Sequence, residues 1–276
     1  MRFGIHLPQY GRAASAEAIT AAARRAEELG FADVWVSDHI VHPAAQSYPS
    51  PFLFDPFVAL TWAAASTTTI GLGTSVTVVP QYHPLWLANA TASLDALSGG
   101  RLKLGVGVGW SEAEFDALDQ DFHSRGARTD EILEILRLCW TTKPASHHGA
   151  HFDFDDIVVL PQPAHEIELW IGGAGGAAAR RAQRFGNGYQ LIGLKPDTIV
   201  EPVAQLRAAH PDEGAFTISL RTGWDPQGMA PDEIAAERDA FEAAGVQHVV
   251  SAPWRSDLDA WLRSMELLAE IVGIGA

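Results

Sequence analysis

Residues 99–110 read GGRLKLGVGVGW, a strand-like run in which large apolar residues alternate with glycine. Successive side chains of a β-strand point to opposite faces, so one face of this strand is apolar and the other is bare. The bare face consists of Gly105, Gly107 and Gly109. Glycine weakens a strand interior unless a ligand or another part of the chain comes close. Two explanations follow: a flat ring bound against the bare face, or tight packing by side chains of neighbouring strands.

Seven further strand-like runs alternate with segments of helical period on both sides of this one. Most are nearly continuous apolar runs, which are typical of parallel strands buried on both faces. The eight predicted strands span residues 2–8, 32–38, 68–79, 101–108, 167–173, 187–193, 216–223 and 247–254. Eight β/α units in 276 residues predict a single α/β domain over residues 1–276, a (β/α)8 TIM barrel.

The helical segments between these strands carry recognisable start signals. The predicted helices span residues 16–30, 56–66, 83–97, 129–140, 177–186, 231–244 and 257–271. Ser15 and Thr129 precede apolar periodic segments and are the predicted N-caps of the first and fourth helices. Residues 151–163 interrupt the alternation, which predicts a short hairpin-like excursion between the fourth helix and the fifth strand.

The composition excludes several classes of partner. The chain has 19 Lys and Arg against 34 Asp and Glu, a formal net charge of -15, which repels nucleic acid and anionic membranes. No apolar run approaches the roughly 20 residues of a membrane span, and no secretion-signal pattern is present, so we expect a cytoplasmic protein. Cys139, the single cysteine, lies in an apolar helical pattern and is predicted to be a core residue, not a nucleophile.

In a (β/α)8 barrel the chemistry lies at the carboxyl ends of the strands. Asp38 and His39 follow the second strand and are the predicted acid/base residues, with a structural, hydrogen-bonded histidine as the alternative. His6 and His83 could join them around a metal, but the sequence lacks H-x-H on the first strand and H-E-x-x-H, so no metal site is predicted. Three histidines of the excursion receive no role: His147, His148 and His151.

A second glycine-rich segment, WIGGAGGAAARR, follows the fifth strand. Gly173, Gly175 and Ala178 match the spacing of a dinucleotide-binding fingerprint, and Asp197 follows at about the expected interval of ~20 residues. That fingerprint belongs to the first unit of a Rossmann sheet, whereas several β/α units precede this one. We therefore retain only the general inference, a helix N-terminus whose N–H groups can bind phosphate.

The aromatic residues divide into core and pocket candidates. Five tryptophans fall within strand or helix patterns and are predicted to be core residues: Trp35, Trp62, Trp86, Trp140 and Trp170. Three others could line a pocket: Trp110, Trp224 and Trp254. An apolar substrate pocket is predicted from Val41, Tyr48, Phe52, Phe54, Trp110 and Trp254. Residues 42–56, rich in proline and aromatics, could form a mobile lid over it.

Six ordered motifs resemble the luciferase-like monooxygenase superfamily, and within it the branch that uses the deazaflavin coenzyme F420. They are FGIHLPQYG, AEELGFADVWVSDHI, TTTIGLGTSVTVVPQYHP, LDALSGGRLKLGVGVGW, RGARTDEILEILRLCW and ELWIGGAGGAAARRAQRFGNGY, which together extend to about residue 195. The resemblance implies a luciferase-like (β/α)8 barrel that holds the F420 ring in its mouth, with the phosphate and glutamyl tail running outward. It also implies a homodimer, because homodimers are common among relatives.

The same resemblance assigns roles to individual residues. It implies a non-prolyl cis peptide at Ser75–Val76 that backs the ring, with Asp38 and His39 beside the reactive part of the ring. The remaining implied cofactor-binding residues are Gly107, Gly109 and Trp110 along the ring, and Gly172, Gly173, Ala174 and Gly175 around the phosphate. Trp110 is a departure, since sugar-phosphate dehydrogenases of the branch carry a general-acid glutamate there. Glu112 and Glu114 are expected to be only distant substitutes.

These inferences favour an oxidoreductase that transfers a hydride between C5 of F420 and a small organic substrate, with His39 as the acid/base or substrate-orienting group. Three alternatives stay open. The first is an FMN-dependent monooxygenase on the same fold that uses reduced flavin and oxygen. The second is a non-catalytic flavin- or deazaflavin-binding protein. The third, a metal hydrolase on the same barrel, has the least support.

Overall fold

Eight parallel strands close into a barrel in the computed structural model, which describes residues 1–45, 50–212 and 214–274. The described residues form eleven strand segments, nine in the barrel sheet and two, β6 and β7, in a separate hairpin. In chain order they are Arg2–His6 (β1), Asp33–Val36 (β2), Gly71–Thr74 (β3), Thr77–Val78 (β4), Leu102–Gly107 (β5), Ala145–His148 (β6), Asp153–Ile157 (β7), Glu168–Gly172 (β8), Gly188–Ile192 (β9), Thr217–Thr222 (β10) and His248–Ser251 (β11). β4 continues β3 after a short break, and pairing of β3 with β5 and of β1 with β11 closes the barrel. The predicted (β/α)8 barrel is confirmed.

Helices surround the barrel in the expected alternation. They are Ala16–Glu28 (α1), Pro56–Ser66 (α2), Pro84–Ser98 (α3), Glu112–Ala117 (α4), Arg125–Thr141 (α5), Gly176–Phe185 (α6), Pro196–Ala209 (α7), Pro231–Ala243 (α8) and Leu258–Val272 (α9). Ser15 caps α1 as predicted, because its hydroxyl accepts the N–H of Ala18 at 3.0 Å. The excursion is the antiparallel hairpin of β6 and β7, which begins earlier than predicted.

Two helix predictions were incomplete or wrong. Thr129 is not an N-cap: α5 begins at Arg125, and the buried Thr129 hydroxyl donates to the Arg125 carbonyl at 2.8 Å. The apolar period starts only near Ile132, so the polar first turn was mistaken for the residues before the helix. Helix α7 was not predicted, since Pro202 lies inside it and interrupts the sequence signal.

The lower half of the barrel is filled by polar and aromatic side chains. Trp35 and Trp170 meet there with ring centroids 5.2 Å apart, and both side chains are fully buried. Glycines on adjacent strands make room for them, because a Cβ on Gly4 or Gly73 would overlap Trp35. This layer closes the barrel from below, so the space available to a ligand lies above it, at the carboxyl ends of the strands.

The predicted division of the tryptophans is partly wrong. Trp35, Trp140 and Trp170 are buried as expected, whereas Trp62 and Trp86 are about half exposed on α2 and α3. Large apolar residues occur on more than one face of both helices. The spacing of apolar residues in the sequence therefore did not show which face turns outward. Trp224 is buried and donates its indole N–H to Glu237 at 2.8 Å, away from any cavity mouth.

Cys139 is a buried core residue, as predicted. Burial also raises the pKa of its thiol, which further argues against a nucleophile. Within the ranges that the structure describes, no helix is both long enough and apolar enough to span a bilayer.

Candidate functional site

A cavity of about 670 Å³ opens at the carboxyl ends of the barrel strands. Its lining includes most of the residues predicted from sequence: Asp38, His39, Ser75, Val76, Gly107, Gly109, Trp110, Gly172 and Gly173. Ala174 and Gly175 lie just beyond this lining, exposed at the start of α6. The structure therefore brings the predicted catalytic and cofactor-binding residues to one site.

One wall of the cavity is a bulge between β3 and β4. The peptide bond between Ser75 and Val76 is cis, as the family resemblance implied. The Val76 side chain fills the space beside the bare face of β5, because a Cβ on Gly107 would lie 2.6 Å from its Cγ2. A Cβ on Gly172 would lie 2.7 Å from Val76 Cγ1. Tight packing between neighbouring strands thus accounts for the glycine face, and contact of Gly107 with a cofactor remains a prediction.

Gly109 serves a different purpose from Gly107. Its φ is +77°, a conformation that favours glycine, and a Cβ there would lie 2.6 Å from Val78 and 2.8 Å from Phe115. The chain therefore turns sharply after β5 and enters α4 close against the barrel. This turn presents Trp110 at the cavity mouth and brings the inner face of α4 to the site.

Arg221, at the end of β10, holds the bulge from the opposite side of the barrel. Its guanidinium donates to the Ser75 carbonyl at 2.5 Å and lies 3.3 Å from the Ser75 hydroxyl. The same guanidinium lies under the Trp254 ring, 5.5 Å from its centroid. Sequence reasoning did not select Arg221 as a site residue, although its place at the end of a barrel strand was an available signal.

Asp38 anchors the other end of the bulge. One carboxylate oxygen accepts the backbone N–H of Val78 at 2.8 Å, and the other accepts the Tyr82 hydroxyl at 2.8 Å. Burial raises the pKa of Asp38 to about 6, although both hydrogen bonds favour the charged form. Both oxygens are engaged by the protein, so Asp38 positions β4 within the site, and a direct role in acid/base chemistry remains a prediction.

His39 is held by a buried carboxylate. Its Nδ1 lies 2.8 Å from Glu114 Oε1, and the second oxygen of Glu114 accepts the Gln81 amide at 3.3 Å. A carboxylate can only accept, so Nδ1 carries the proton of this bond. Because His39 lines the cavity, Nε2 is the ring nitrogen left for a ligand. This arrangement suits proton transfer or substrate orientation.

The prediction that Glu114 lies far from the reacting groups was wrong. Helix α4 folds back beneath the cavity after the turn at Gly109, and this places Glu114 against His39. The S-x-x-E spacing of Ser111 and Glu114 was an available signal for the start of α4, but it predicts a glutamate that caps its own helix and not one that contacts His39. Glu112, by contrast, is exposed and lies 3.9 Å from His123.

A neutral histidine lies beneath the cavity. His6 Nδ1 donates to the Leu7 carbonyl at 2.8 Å, and the Ser37 hydroxyl donates to Nε2 at 2.9 Å. Burial, reinforced by the nearby charge of Arg221, lowers the pKa of His6 well below its usual value. Among the residues with described positions, no cluster of three or more His, Cys, Asp or Glu side chains has the arrangement of a metal site.

The start of α6 adjoins the cavity at Gly172 and Gly173. Gly175 is the N-cap of this helix and supplies no side chain to its first-turn N–H groups. Arg180 lies close by, with its Nη1 3.3 Å from where a Cβ on Gly176 would stand. Free N–H groups, the positive end of the helix dipole and one guanidinium suit a phosphate group.

The predicted apolar pocket is only partly confirmed. Trp110 and Trp254 line the cavity, but Val41, Phe52 and Phe54 do not. Leu53 takes their place, because it pairs with Tyr10 in a short antiparallel bridge that turns it inward while its neighbours face away. Tyr48 and residues 46–49 of the predicted lid lie outside the described residues.

Comparisons with known proteins agree with this geometry. The family model for luciferase-like monooxygenases matches residues 1–261. An F420-dependent glucose-6-phosphate dehydrogenase of Intrasporangium calvum is 33% identical over 224 residues, covering 78% of this chain and 64% of the relative. An F420-dependent hydroxymycolic acid dehydrogenase of Mycobacterium tuberculosis is 32% identical over 230 residues, covering 82% of this chain and 59% of the relative. The chain thus spans less than two thirds of the length of both relatives.

Solved structures share the fold at lower identity. A monooxygenase from Streptomyces bottropensis superposes with a TM-score of 0.83 at 24% identity, covering 99% of this chain and 98% of that one. An F420-dependent secondary alcohol dehydrogenase superposes with a TM-score of 0.80 at 20% identity, covering 100% of this chain and 99% of that one. These likenesses show the barrel alone. The match of the family model over nearly the whole length shows that the chain belongs to the luciferase-like monooxygenase family.

Proposed function

We propose that this protein is an F420-dependent oxidoreductase that transfers a hydride between C5 of the deazaflavin and a small organic substrate. The observation that carries the proposal is one barrel-mouth cavity that combines the Ser75–Val76 wall with a histidine held by a buried glutamate. Two relatives whose names state F420-dependent dehydrogenation support the choice of cofactor.

The residues present fit this cofactor. A cavity of about 670 Å³ has room for three fused rings and a small substrate. Ser75, Val76 and the backbone of Gly172 would form the wall behind the rings. The N–H groups at the start of α6, together with Arg180, would hold the phosphate.

The side chains of this protein would supply the proton chemistry. The bound deazaflavin would accept or donate the hydride at C5. His39 Nε2 would take the proton from a substrate hydroxyl during oxidation and return it during reduction. Glu114 would keep Nδ1 protonated and stabilise the imidazolium that forms. Trp110 and Trp254 would cover the substrate and limit the access of water.

Cofactor titration tests the proposal against its two main alternatives. Purified protein is titrated with F420 and, separately, with FMN, and the quenching of cofactor fluorescence is recorded. We expect micromolar or tighter binding of F420 and at least tenfold weaker binding of FMN. Preferential binding of FMN, with oxygen uptake on addition of reduced flavin and substrate, would identify the monooxygenase. Tight F420 binding without reduction by any alcohol of a broad panel would favour a non-catalytic binding protein.

We further propose that the protein forms a homodimer through α2 and α3. Val58 and Trp62 on α2 and Trp86 on α3 are each at least about half exposed, which is unusual for side chains of this size. A double Trp62→Glu, Trp86→Glu variant should then elute as a monomer in size-exclusion chromatography with light scattering. An unchanged elution profile of the variant would locate the interface elsewhere. Residence in the cytoplasm remains a prediction.

A further inference from the structure

We infer, on the basis of the proposed function, that the substrate is an uncharged molecule with an aromatic group next to its reacting carbon. Phosphorylated sugars are correspondingly excluded. The inference rests on two independent properties of the cavity. Aromatic surfaces lie at its mouth, and the single permanently charged cation among its described lining residues, Arg221, already donates to the Ser75 carbonyl.

The mouth of the cavity presents aromatic faces. Trp254 is 46% exposed and packs on Tyr10 with ring centroids 4.7 Å apart. Trp110 is 58% exposed and lies 6.1 Å from the His39 ring. Both tryptophans line the cavity, so one of these apolar surfaces adjoins the proposed acid/base group. Aromatic faces of this kind bind a flat apolar ring by stacking or edge contact.

The backbone at Trp254 indicates that this aromatic surface is held in place. Its φ is +53°, which is rare for a bulky residue and persists where surrounding contacts enforce it. Tyr10 on one side and Arg221 beneath provide those contacts. An exposed tryptophan in such a conformation indicates that its position serves a ligand.

The charge of the cavity opposes a phosphorylated substrate. Among its described lining residues, Arg221 alone carries a permanent positive charge, and its guanidinium donates to the Ser75 carbonyl beneath Trp254. Residues 46–49, which read QSYP, contribute no basic side chain by sequence. Four cations near the cavity lie outside this lining and are already assigned. Lys195 pairs with Glu237 at 3.1 Å, and Arg255 pairs with Asp225. Arg125 donates to the carbonyls of Gly109 and Phe122, and Arg180 lies at the proposed cofactor-phosphate site. A sugar phosphate would therefore meet, among the described lining residues, a single cation that already donates to the bulge.

Oxidation of such a substrate would need two acceptors, bound F420 for the hydride and His39 for the proton. During oxidation of an aryl alcohol, the carbinol C–H bond would break, and F420 when bound would supply the acceptor for its hydrogen and electron pair as hydride. The O–H proton passes to His39 Nε2, and the carbon–oxygen double bond forms. The aromatic ring would remain against Trp110 and Trp254 throughout.

Direct binding measurements test the inference without requiring turnover. Acetophenone, the size-matched cyclohexyl methyl ketone and glucose 6-phosphate are titrated by calorimetry into the protein, with and without F420. We expect acetophenone to bind three- to tenfold more tightly than the cyclohexyl ketone and glucose 6-phosphate not to bind at millimolar concentration. Equal binding of the two ketones, no binding of either ketone, or binding of glucose 6-phosphate as tight as that of acetophenone would overturn the inference. Failure to bind F420 would instead overturn the proposed function, because the ketone titrations are also made without cofactor.

Variants of the two cavity tryptophans test whether these side chains cause the preference for the aromatic ketone. Trp254→Leu and Trp110→Leu should each remove most of the preference for acetophenone over the cyclohexyl ketone. Val200→Ala is the control, since Val200 is a comparably exposed apolar residue on α7, outside the cavity lining and outside the proposed dimer interface. Circular dichroism verifies that all three variants are folded. A preference that survives in both cavity variants, or is lost equally in the control, would contradict the inference.

Discussion

The barrel contains two carboxylate–histidine pairs of nearly the same geometry at different depths. In the lower pair, His248 Nε2 lies 2.9 Å from Asp33, and both side chains are fully buried. In the upper pair, His39 Nδ1 lies 2.8 Å from the buried Glu114, but His39 also lines the cavity. A ligand in the cavity can reach His39 but not His248. The protein binds one ring nitrogen of His39 and both ring nitrogens of His248.

The lower pair is part of a saturated network. Asp33 also accepts from Lys103 at 2.8 Å and from the Trp35 indole at 2.5 Å, while the second nitrogen of His248 contacts the Ser219 hydroxyl at 2.8 Å. Burial alone would raise the pKa of Asp33, but His248 and Lys103 together hold it well below its usual range. Each of these five polar side chains (Asp33, Trp35, Lys103, Ser219 and His248) has a protein partner, so this network is structural.

A carboxylate–histidine pair is therefore not by itself a sign of catalysis. Both nitrogens of His248 are engaged, whereas His39 keeps Nε2 for a ligand. A free ring nitrogen facing a cavity is therefore the property that separates the two sites. Substitutions in the two pairs test this distinction directly.

Substitution of the two histidines should have opposite consequences. His39→Asn should lower kcat by about 10²–10⁴-fold, the usual contribution of a general acid/base, with F420 affinity changed less than about threefold. His248→Asn should reduce the free energy of unfolding and leave kcat per folded molecule almost unchanged. Steady-state kinetics, F420 titration and urea unfolding of both variants measure this. A large loss of kcat in His248→Asn, with the protein folded, would remove the distinction between the layers.

The carboxylate of the lower layer should matter most for stability. Asp33→Asn leaves the partly buried Lys103 without its counter-charge, and we expect a loss of about 3–5 kcal/mol in the free energy of unfolding. Asp239→Asn is the matched control, since Asp239 pairs with Arg238 on the surface and such pairs contribute little. Urea unfolding measures both. Equal stability of the two variants would mean that the buried network is not needed to close the barrel.

The sequence predicts the strands and the residues at their carboxyl ends better than it predicts the contacts between strands, and it did not reveal the lower layer of Asp33, Lys103 and His248. The eight strands were predictable because nearly continuous apolar runs alternate with helical segments, and this pattern depends on local residues alone. The contact of His39 with Glu114 joins residues 75 positions apart and depends on how α4 folds back after Gly109. The outward faces of Trp62 and Trp86 were hidden because their helices are apolar all round.

The upper carboxylate should affect rate more than stability. Glu114→Gln removes the charge that stabilises the His39 imidazolium, and we expect kcat to fall about 10–100-fold. Glu112→Gln on the same short helix is the control, since Glu112 is exposed and away from His39. An equal loss of kcat in Glu112→Gln, or a loss of kcat in Glu114→Gln that a smaller folded fraction explains, would indicate a structural role instead.

Substitution of Asp38 should have the smallest effect, a change in how stability depends on pH. The pKa of Asp38 is raised and that of Asp33 is lowered, so the two carboxyl groups change the free energy of unfolding with pH in opposite directions. The pKa of Asp38 is about 6 in the folded protein against an ordinary value of 3.8. Between those values the folded chain keeps a proton that the unfolded chain has released, so stability falls as pH rises from about 4 to 7. We expect this group to account for about 1–3 kcal/mol of that fall.

Asp38→Asn cannot ionise, so its unfolding free energy should decline less steeply than that of the wild type over this range. The measurement is urea unfolding at half-unit steps of pH, with Asp239→Asn as the control that retains the wild-type slope. Asp33 contributes the same slope to the wild type and to Asp38→Asn, so the difference between their two curves isolates the upper site. Parallel curves for wild type and Asp38→Asn would mean that a cation or water compensates the buried charge, and the contrast between the two buried aspartates would disappear.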